Sequence, residues 1–357
     1  MYQPWIDGLK GWGIAFIVLG HIIGAGCHLS TGSTQVFCDL GYKYFYAFHV
    51  PLFFFVSGTT FKQRDWGAFL KGKFYRLLIP YFFFGLCSIL IYEVFDQLAI
   101  SILQGNETTT YYQGKAQEVS VLAQVSGLLL GGFGGSHCFI ANAVLWFIPV
   151  LFTLEVTMQW IIRLSKSRWM LAVFGGLIFL FVAFYRHYLP RLPWGGDLVP
   201  IYIPFFILGK LWGYKSIPRC WWSIVLSILL MIGFGALAVI NPYQYFPKTG
   251  WQYGITFLIT CGNIAAWTLM SNLWAWRGLV FLGHISLVVM FCHKFPVLFM
   301  QNFMSPIRQL FTKTIPLTLF ATGMVFFVTI ACCIGIYLIL IRGCPWMIGH
   351  VNHTRSE

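Results

Sequence analysis

The chain has 357 residues, of which 58% are hydrophobic and 9% charged, and its formal net charge is +13. Soluble domains carry roughly 25% charged residues, so a soluble globular enzyme is excluded and a multi-pass membrane protein remains. The basic residues lie mostly in short loops between apolar segments, which assigns the charge to membrane topology and excludes a nucleic-acid partner.

Apolar segments of spanning length fall near 12–29, 43–61, 74–98, 143–163, 169–187, 199–214, 221–240, 251–273, 280–303 and 315–341. The fold expected is an all-α integral membrane protein, a bundle of about ten transmembrane helices. Two segments are irregular. Residues 199–214 are few for a span, and 43–61 carries His49 and Pro51, where proline is expected to kink the helix and open space. Residues 120–135 are apolar, short and glycine-terminated, and read as a re-entrant or interfacial piece. No A-x-A-like site follows the first apolar stretch, which reads as a retained span. No internal repeat and no matched pair of broken helices is visible.

Lys and Arg concentrate on the side shared by the two termini: Lys10, the loop carrying Lys62, Arg64, Lys71, Lys73 and Arg76, then Arg163, Lys166, Arg168, Lys210, Lys215, Arg219 and Arg342. The positive-inside rule puts that side, and both termini, in the cytoplasm. The long loop near 99–142 then faces outward; its N-E-T at 106–108 is a glycosylation pattern only in a eukaryotic host. The ten cysteines include no C-x-x-C, so zinc and dithiol motifs are not expected. Cys27, Cys38 and Cys138 are the ones a non-cytosolic disulfide can use.

Ionisable residues at membrane depth are costly and mark functional candidates. Here they are His21, His49, Glu93, Glu155, Asp197, His293 and Lys294. His21 lies eleven residues beyond Lys10, roughly 16 Å along a helix and so near the midplane of a core roughly 30 Å thick. Eleven steps of about 100° leave only some 20° of rotation, so Lys10 and His21 share a face. Asp7 and His28 extend this stripe at each end. Gly20, Gly24 and Gly26 allow another backbone to approach at this level. An imidazole here either bonds a neighbouring helix or handles protons. His49 and His293 fall in the outer part of their spans, and Lys294 either snorkels or faces a wet cavity. Asp197, in LPWGGDLVP, either caps a helix or contacts substrate. Lys73 and Arg76, three apart at a helix start, share a face and serve topology or clamp phosphates. Glu93 and Glu155 have no partner visible in the sequence.

Several of these segments resemble the acyltransferase-3 family of membrane O-acyltransferases, within it the fucose 4-O-acetylase-like branch. WIDGLKGWGIAFIVLGH resembles the family's first span, with a basic residue ahead of the histidine, and FYAFHVPLFFFVSG its second. KFYRLLIPY resembles the Arg-x-x-Arg motif, with Lys73 in place of the first arginine, which keeps the charge but loses the bidentate fork. LWFIPVLF and GHISLVVMFCHKF are similar to later motifs.

The resemblance implies an acyltransferase-3-type transmembrane domain over 1–345, a short cytoplasmic tail over 346–357, and residence in the cell (inner or plasma) membrane. No extracytoplasmic esterase-like domain, of the kind some members carry, is expected after the last span. It also implies transfer of an acetyl group from cytoplasmic acetyl-CoA to a hydroxyl of a cell-envelope sugar, with no metal. In that scheme His21 is the general base and Asp7 balances charge at the cytoplasmic end of the stripe. Lys10, Lys73 and Arg76 hold acetyl-CoA, while His49, His293, Trp146 and Asp197 face the carbohydrate acceptor. A covalent acyl-histidine is the rival route. The alternative function is a transporter of a sugar or lipid-linked saccharide, which would use the same midplane residues.

Overall fold

The structure, a computed structural model, describes residues 3–27, 30–102, 120–132, 139, 141–185, 188–218, 220–242, 250–303 and 305–349. Every regular element among them is helical. In chain order these are α1 (Pro4–Cys27), α2 (Gly32–Tyr46), α3 (His49–Thr60), α4 (Trp66–Lys73), α5 (Ile79–Ile102), α6 (Val121–Leu129), α7 (Phe147–Leu164) and α8 (Arg168–Tyr185). Then come α9 (Val199–Trp212), α10 (Trp221–Ile240), α11 (Gly250–Leu273), α12 (Arg277–His284), α13 (Ser286–Cys292), α14 (Lys294–Phe303), α15 (Ser305–Lys313) and α16 (Ile315–Gly343). His28, Cys138, the 106–108 pattern and the side chain of Cys27 lie outside the described residues. Cys38 is buried.

Seven stretches among the described residues are long and apolar enough to cross a membrane: Pro4–Gly26, Trp66–Val94, Ala143–Leu164, Arg168–Tyr185, Trp221–Ile240, Gly250–Leu273 and Ile315–Gly343. The other three expected spans are built differently. Residues 199–214 become the 14-residue α9, about 21 Å of helix against a core of roughly 30 Å. Residues 43–61 are two helices, α2 and α3, separated at Ala47–Phe48. Residues 280–303 fall into α12, α13 and α14, jointed at Ile285 and His293. The chain therefore does contain two broken helices, which the continuous apolar pattern conceals.

Pro51 does not kink a helix interior. It sits in the first turn of α3, where a missing N–H costs nothing, and the break comes before it. A broken helix in an apolar setting must satisfy its freed carbonyls. Here Thr260 Oγ1 of α11 donates to Ala47 O at 2.7 Å, and His49 Nδ1 donates to Phe45 O at 2.7 Å. α6 is the short non-spanning piece expected. Its Leu128 fits against Gly85 of α5, and Tyr81 Oη donates to Leu128 O at 2.7 Å.

α1 is central, packed against α2, α3, α11, α12 and α16. Two helix pairs meet backbone to backbone. A Cβ on Gly11 would collide with Leu279 O and one on Gly283 with Asp7 O, which locks α1 to α12. Gly58 against Phe206 O and Gly209 against Phe55 O do the same for α3 and α9. Gly20, Gly24 and Gly26 serve otherwise: their open faces receive the rings of Tyr46, Tyr42 and Phe311, not a backbone. Helices α8, α10 and α16 carry exposed Leu177, Leu180, Leu229, Ile232, Phe327 and Ile339 outward, the surface a bilayer covers.

Candidate active site

Helix α1 runs unbroken from Asp7 through Lys10 to His21, so the stripe deduced from helical spacing exists as one element. His21 is met by the two broken helices. His293, at the joint between α13 and α14, places its ring 5.3 Å from that of His21. Tyr46, the last residue of α2, puts its hydroxyl 3.0 Å from His21 Nδ1. The Tyr46 ring lies edge-on to His49 at 4.7 Å. Three histidines distant in sequence thus surround one level of the bundle.

The backbone fixes two of these imidazoles. His49 Nδ1 faces Phe45 O and His293 Nδ1 faces Val289 O, both at 2.7 Å. A carbonyl only accepts, so each ring carries its proton on Nδ1 and, when neutral, presents a bare Nε2. His293 is fully buried, and its Nε2 has no hydrogen-bond partner among the described residues. An acceptor in such a place is suited to a hydroxyl donor from a ligand. Among the described residues no group of three His, Cys, Asp or Glu is arranged to hold a metal ion.

Around the cluster the site is aromatic and close-packed. Phe16 stacks on Phe45 at 5.5 Å and meets Phe48 and Trp267 edge-on. Asn142 is fully buried as well. Its Nδ2 donates to Phe291 O at 2.8 Å and to Ser88 Oγ at 3.2 Å, which ties α5 and the 143–146 turn to α13 two residues before His293.

At the other end of the stripe, Asp7 accepts from Lys10 Nζ at 3.0 Å and His284 Nε2 at 3.0 Å. His284 follows Gly283, whose missing Cβ lets α12 touch α1, so the tight crossing delivers the second partner. Helical spacing along α1 carries no signal for His284, because it ends a separate short helix.

Lys73 and Arg76 do not share a face. Residues Phe74–Leu78 form a π-helical turn, whose wider register rotates Arg76 away from Lys73. Lys73 turns inward to Glu155 Oε2 at 2.7 Å, and Glu155 Oε1 accepts from Ser57 Oγ at 2.8 Å. Ser57 and Lys73 thereby hold the two carboxylate oxygens separately. Arg76 is exposed, and its backbone is covered by Gly349. The start of the expected tail is thus a docked turn, Pro345–Ile348, with Trp346 against Phe83 at 6.3 Å.

Two further expected acceptor contacts are Trp146 and Asp197. Trp146 stands 6.3 Å from the ring of Tyr202, at the start of α7. Asp197 caps no helix: the residue before α9 is Leu198, without a side-chain cap. Its carboxylate accepts from Leu192 N and Arg191 Nη1, both at 3.2 Å, and closes its own loop. Lys294, half-buried, opens α14 beside His293. Glu93 accepts from Gln124 Nε2 at 3.4 Å.

The fold and its polar interior define a multi-pass helical membrane protein with a histidine cluster enclosed between broken helices. The acyltransferase domain of the acyltransferase-3 family matches residues 3–338, nearly the whole chain, and the protein belongs to that family. It is a membrane acyltransferase. Comparison with curated proteins and with solved structures gives no match.

Proposed function

We propose that the protein transfers an acetyl group from cytoplasmic acetyl-CoA to a hydroxyl of a cell-envelope or exported sugar, with His21 as general base. The observation that supports this most is the meeting of His21 with Tyr46, His49 and His293 at one depth of the bundle. The enzyme needs a base at a level that both a cytoplasmic thioester and an external hydroxyl can enter. His21 lies roughly 16 Å of helix from Lys10. The positive-inside distribution supports a cytoplasmic position for Asp7, Lys10 and the 62–76 loop.

In this scheme His21 removes the proton of the sugar hydroxyl as its oxygen attacks the thioester carbonyl. The C–S bond breaks, CoA leaves as a thiolate, and the proton passes from His21 to that sulfur. His49 and His293 accept hydrogen bonds from the sugar, while Lys10, Lys73 and Arg76 attract the CoA phosphates. For Lys73 this requires leaving Glu155.

The test is His21→Ala, with expression level and detergent elution matched to wild type. Free CoA release and acetylated glycan, read by mass spectrometry, should fall about 10²- to 10⁴-fold, the range for losing a general base. Acetylation at the wild-type rate overturns the role of His21. The two broken helices favour one second reading, transport of a saccharide, because interrupted helices at membrane depth also build transport sites. A transporter moves its cargo without releasing CoA from acetyl-CoA, so the same assay separates the two.

A further inference from the structure

His21 Nδ1 is the one ring nitrogen in the cluster known to face a hydroxyl and not a carbonyl. A phenol can donate or accept, so its proton is not fixed by the backbone as those of His49 and His293 are. Yet Tyr46 itself is held firmly. It ends α2, directly before the break at Ala47–Phe48. Its ring packs on Tyr42 at 4.0 Å and stands at 84° to His49. On α1, Gly20 and Gly24 flank His21, and they leave room for Tyr46 and Tyr42: a Cβ at either position would lie 3.2 Å and 2.8 Å from those rings.

A histidine that works as a base through Nε2 must carry its proton on Nδ1, and that proton needs an acceptor. The group at 3.0 Å is Tyr46 Oη. We propose that Tyr46 is a positioning residue for His21: its hydroxyl accepts from Nδ1–H, fixing the ring and the tautomer whose Nε2 lone pair meets the reacting hydroxyl. The phenol's own O–H then donates away from His21, and Tyr46 touches neither substrate. All three histidines of the cluster then share one tautomer, two set by main-chain carbonyls and one by a side chain. The catalytic half of this inference rests on the general-base reading of His21; the tautomer does not.

The experiment uses the full-length protein labelled with 15N-histidine in detergent, where protonated and bare ring nitrogens resonate far apart. His21 is assigned by its loss in His21→Gln. The wild-type spectrum should show His21 protonated at Nδ1 and bare at Nε2. Tyr46→Phe keeps the ring packing and removes only Oη; it should shift His21 toward the Nε2–H form. In native membranes, where the acceptor is present, kcat for CoA release should fall about tenfold or more while KM for acetyl-CoA stays unchanged.

A wild-type His21 protonated at Nε2 overturns the proposal, and so does a Tyr46→Phe protein with wild-type tautomer and kcat. If Tyr46→Phe does not fold, the wild-type spectrum alone decides. If instead His21→Ala transfers at full rate while the tautomer is as stated, it is the general-base reading that falls.

Discussion

Lys73 Nζ and Glu155 Oε2 lie 2.7 Å apart, and Glu155 is 4% exposed. The pair joins the start of the π-helical turn to the middle of α7, and Ser57 of α3 completes it. Three stretches remote in sequence are thus tied by one carboxylate. A buried ion pair adds little net stability against an apolar replacement, but removing one partner strands the other.

The two halves of the pair are therefore unequal. Lys73→Met leaves a buried carboxylate with only Ser57 and should cost about 3–5 kcal/mol. Glu155→Gln leaves a half-buried lysine that can swing to water and keeps an acceptor for Ser57, so it should cost about 1–2 kcal/mol. Thermal unfolding in detergent measures both. Equal losses would show that Glu155 does not depend on Lys73.

The glycine crossings give a sharper contrast. Gly58→Ala and Gly209→Ala drive a methyl into the carbonyls of Phe206 and Phe55, so α3 and α9 must separate. Each should destabilise by about 1–3 kcal/mol or more. Gly176→Ala and Gly323→Ala, where nothing lies within 4 Å, should be neutral or slightly stabilising, since alanine is the better helix former. Size-exclusion profiles after a heat step rank the four.

Asp7 and Lys10 should separate in kinetics. Lys10→Ala removes a cation proposed to attract acetyl-CoA and should raise its KM about tenfold, or 1.4 kcal/mol. Asp7→Asn removes an anion and leaves Lys10 and His284 in place, so KM should not rise; kcat should fall instead. Initial rates over a range of acetyl-CoA concentrations distinguish these effects, and a raised KM in Asp7→Asn contradicts the assignment.

Thiol labelling tests the helix entry at α10. Cys220 is exposed, and the hydroxyl and backbone N–H of Ser223 pull its thiol below the ordinary value. A lowered value means more thiolate at neutral pH, so a soluble maleimide should modify Cys220 ahead of buried Cys38 and Cys333. Ser223→Ala should shift its reactivity profile to higher pH. Mass mapping of modified peptides against pH reads both.

The sequence alone determined whatever depends on period and composition. Apolar fraction and segment length set the membrane class, and helical arithmetic put Asp7, Lys10 and His21 on one stripe of an unbroken α1. Relations between helices were beyond it. An apolar run reads the same whether its helix is continuous or jointed, so the breaks at Ala47–Phe48, Ile285 and His293 stayed hidden. A π-helical turn leaves no periodic signature either, and the shared face of Lys73 and Arg76 was lost to it. Glu155 and Tyr46 acquire meaning only when α7 and α2 bring them to Lys73 and His21. That placement belongs to the tertiary structure, because freed carbonyls, buried charges and glycine crossings are satisfied by residues far away along the chain.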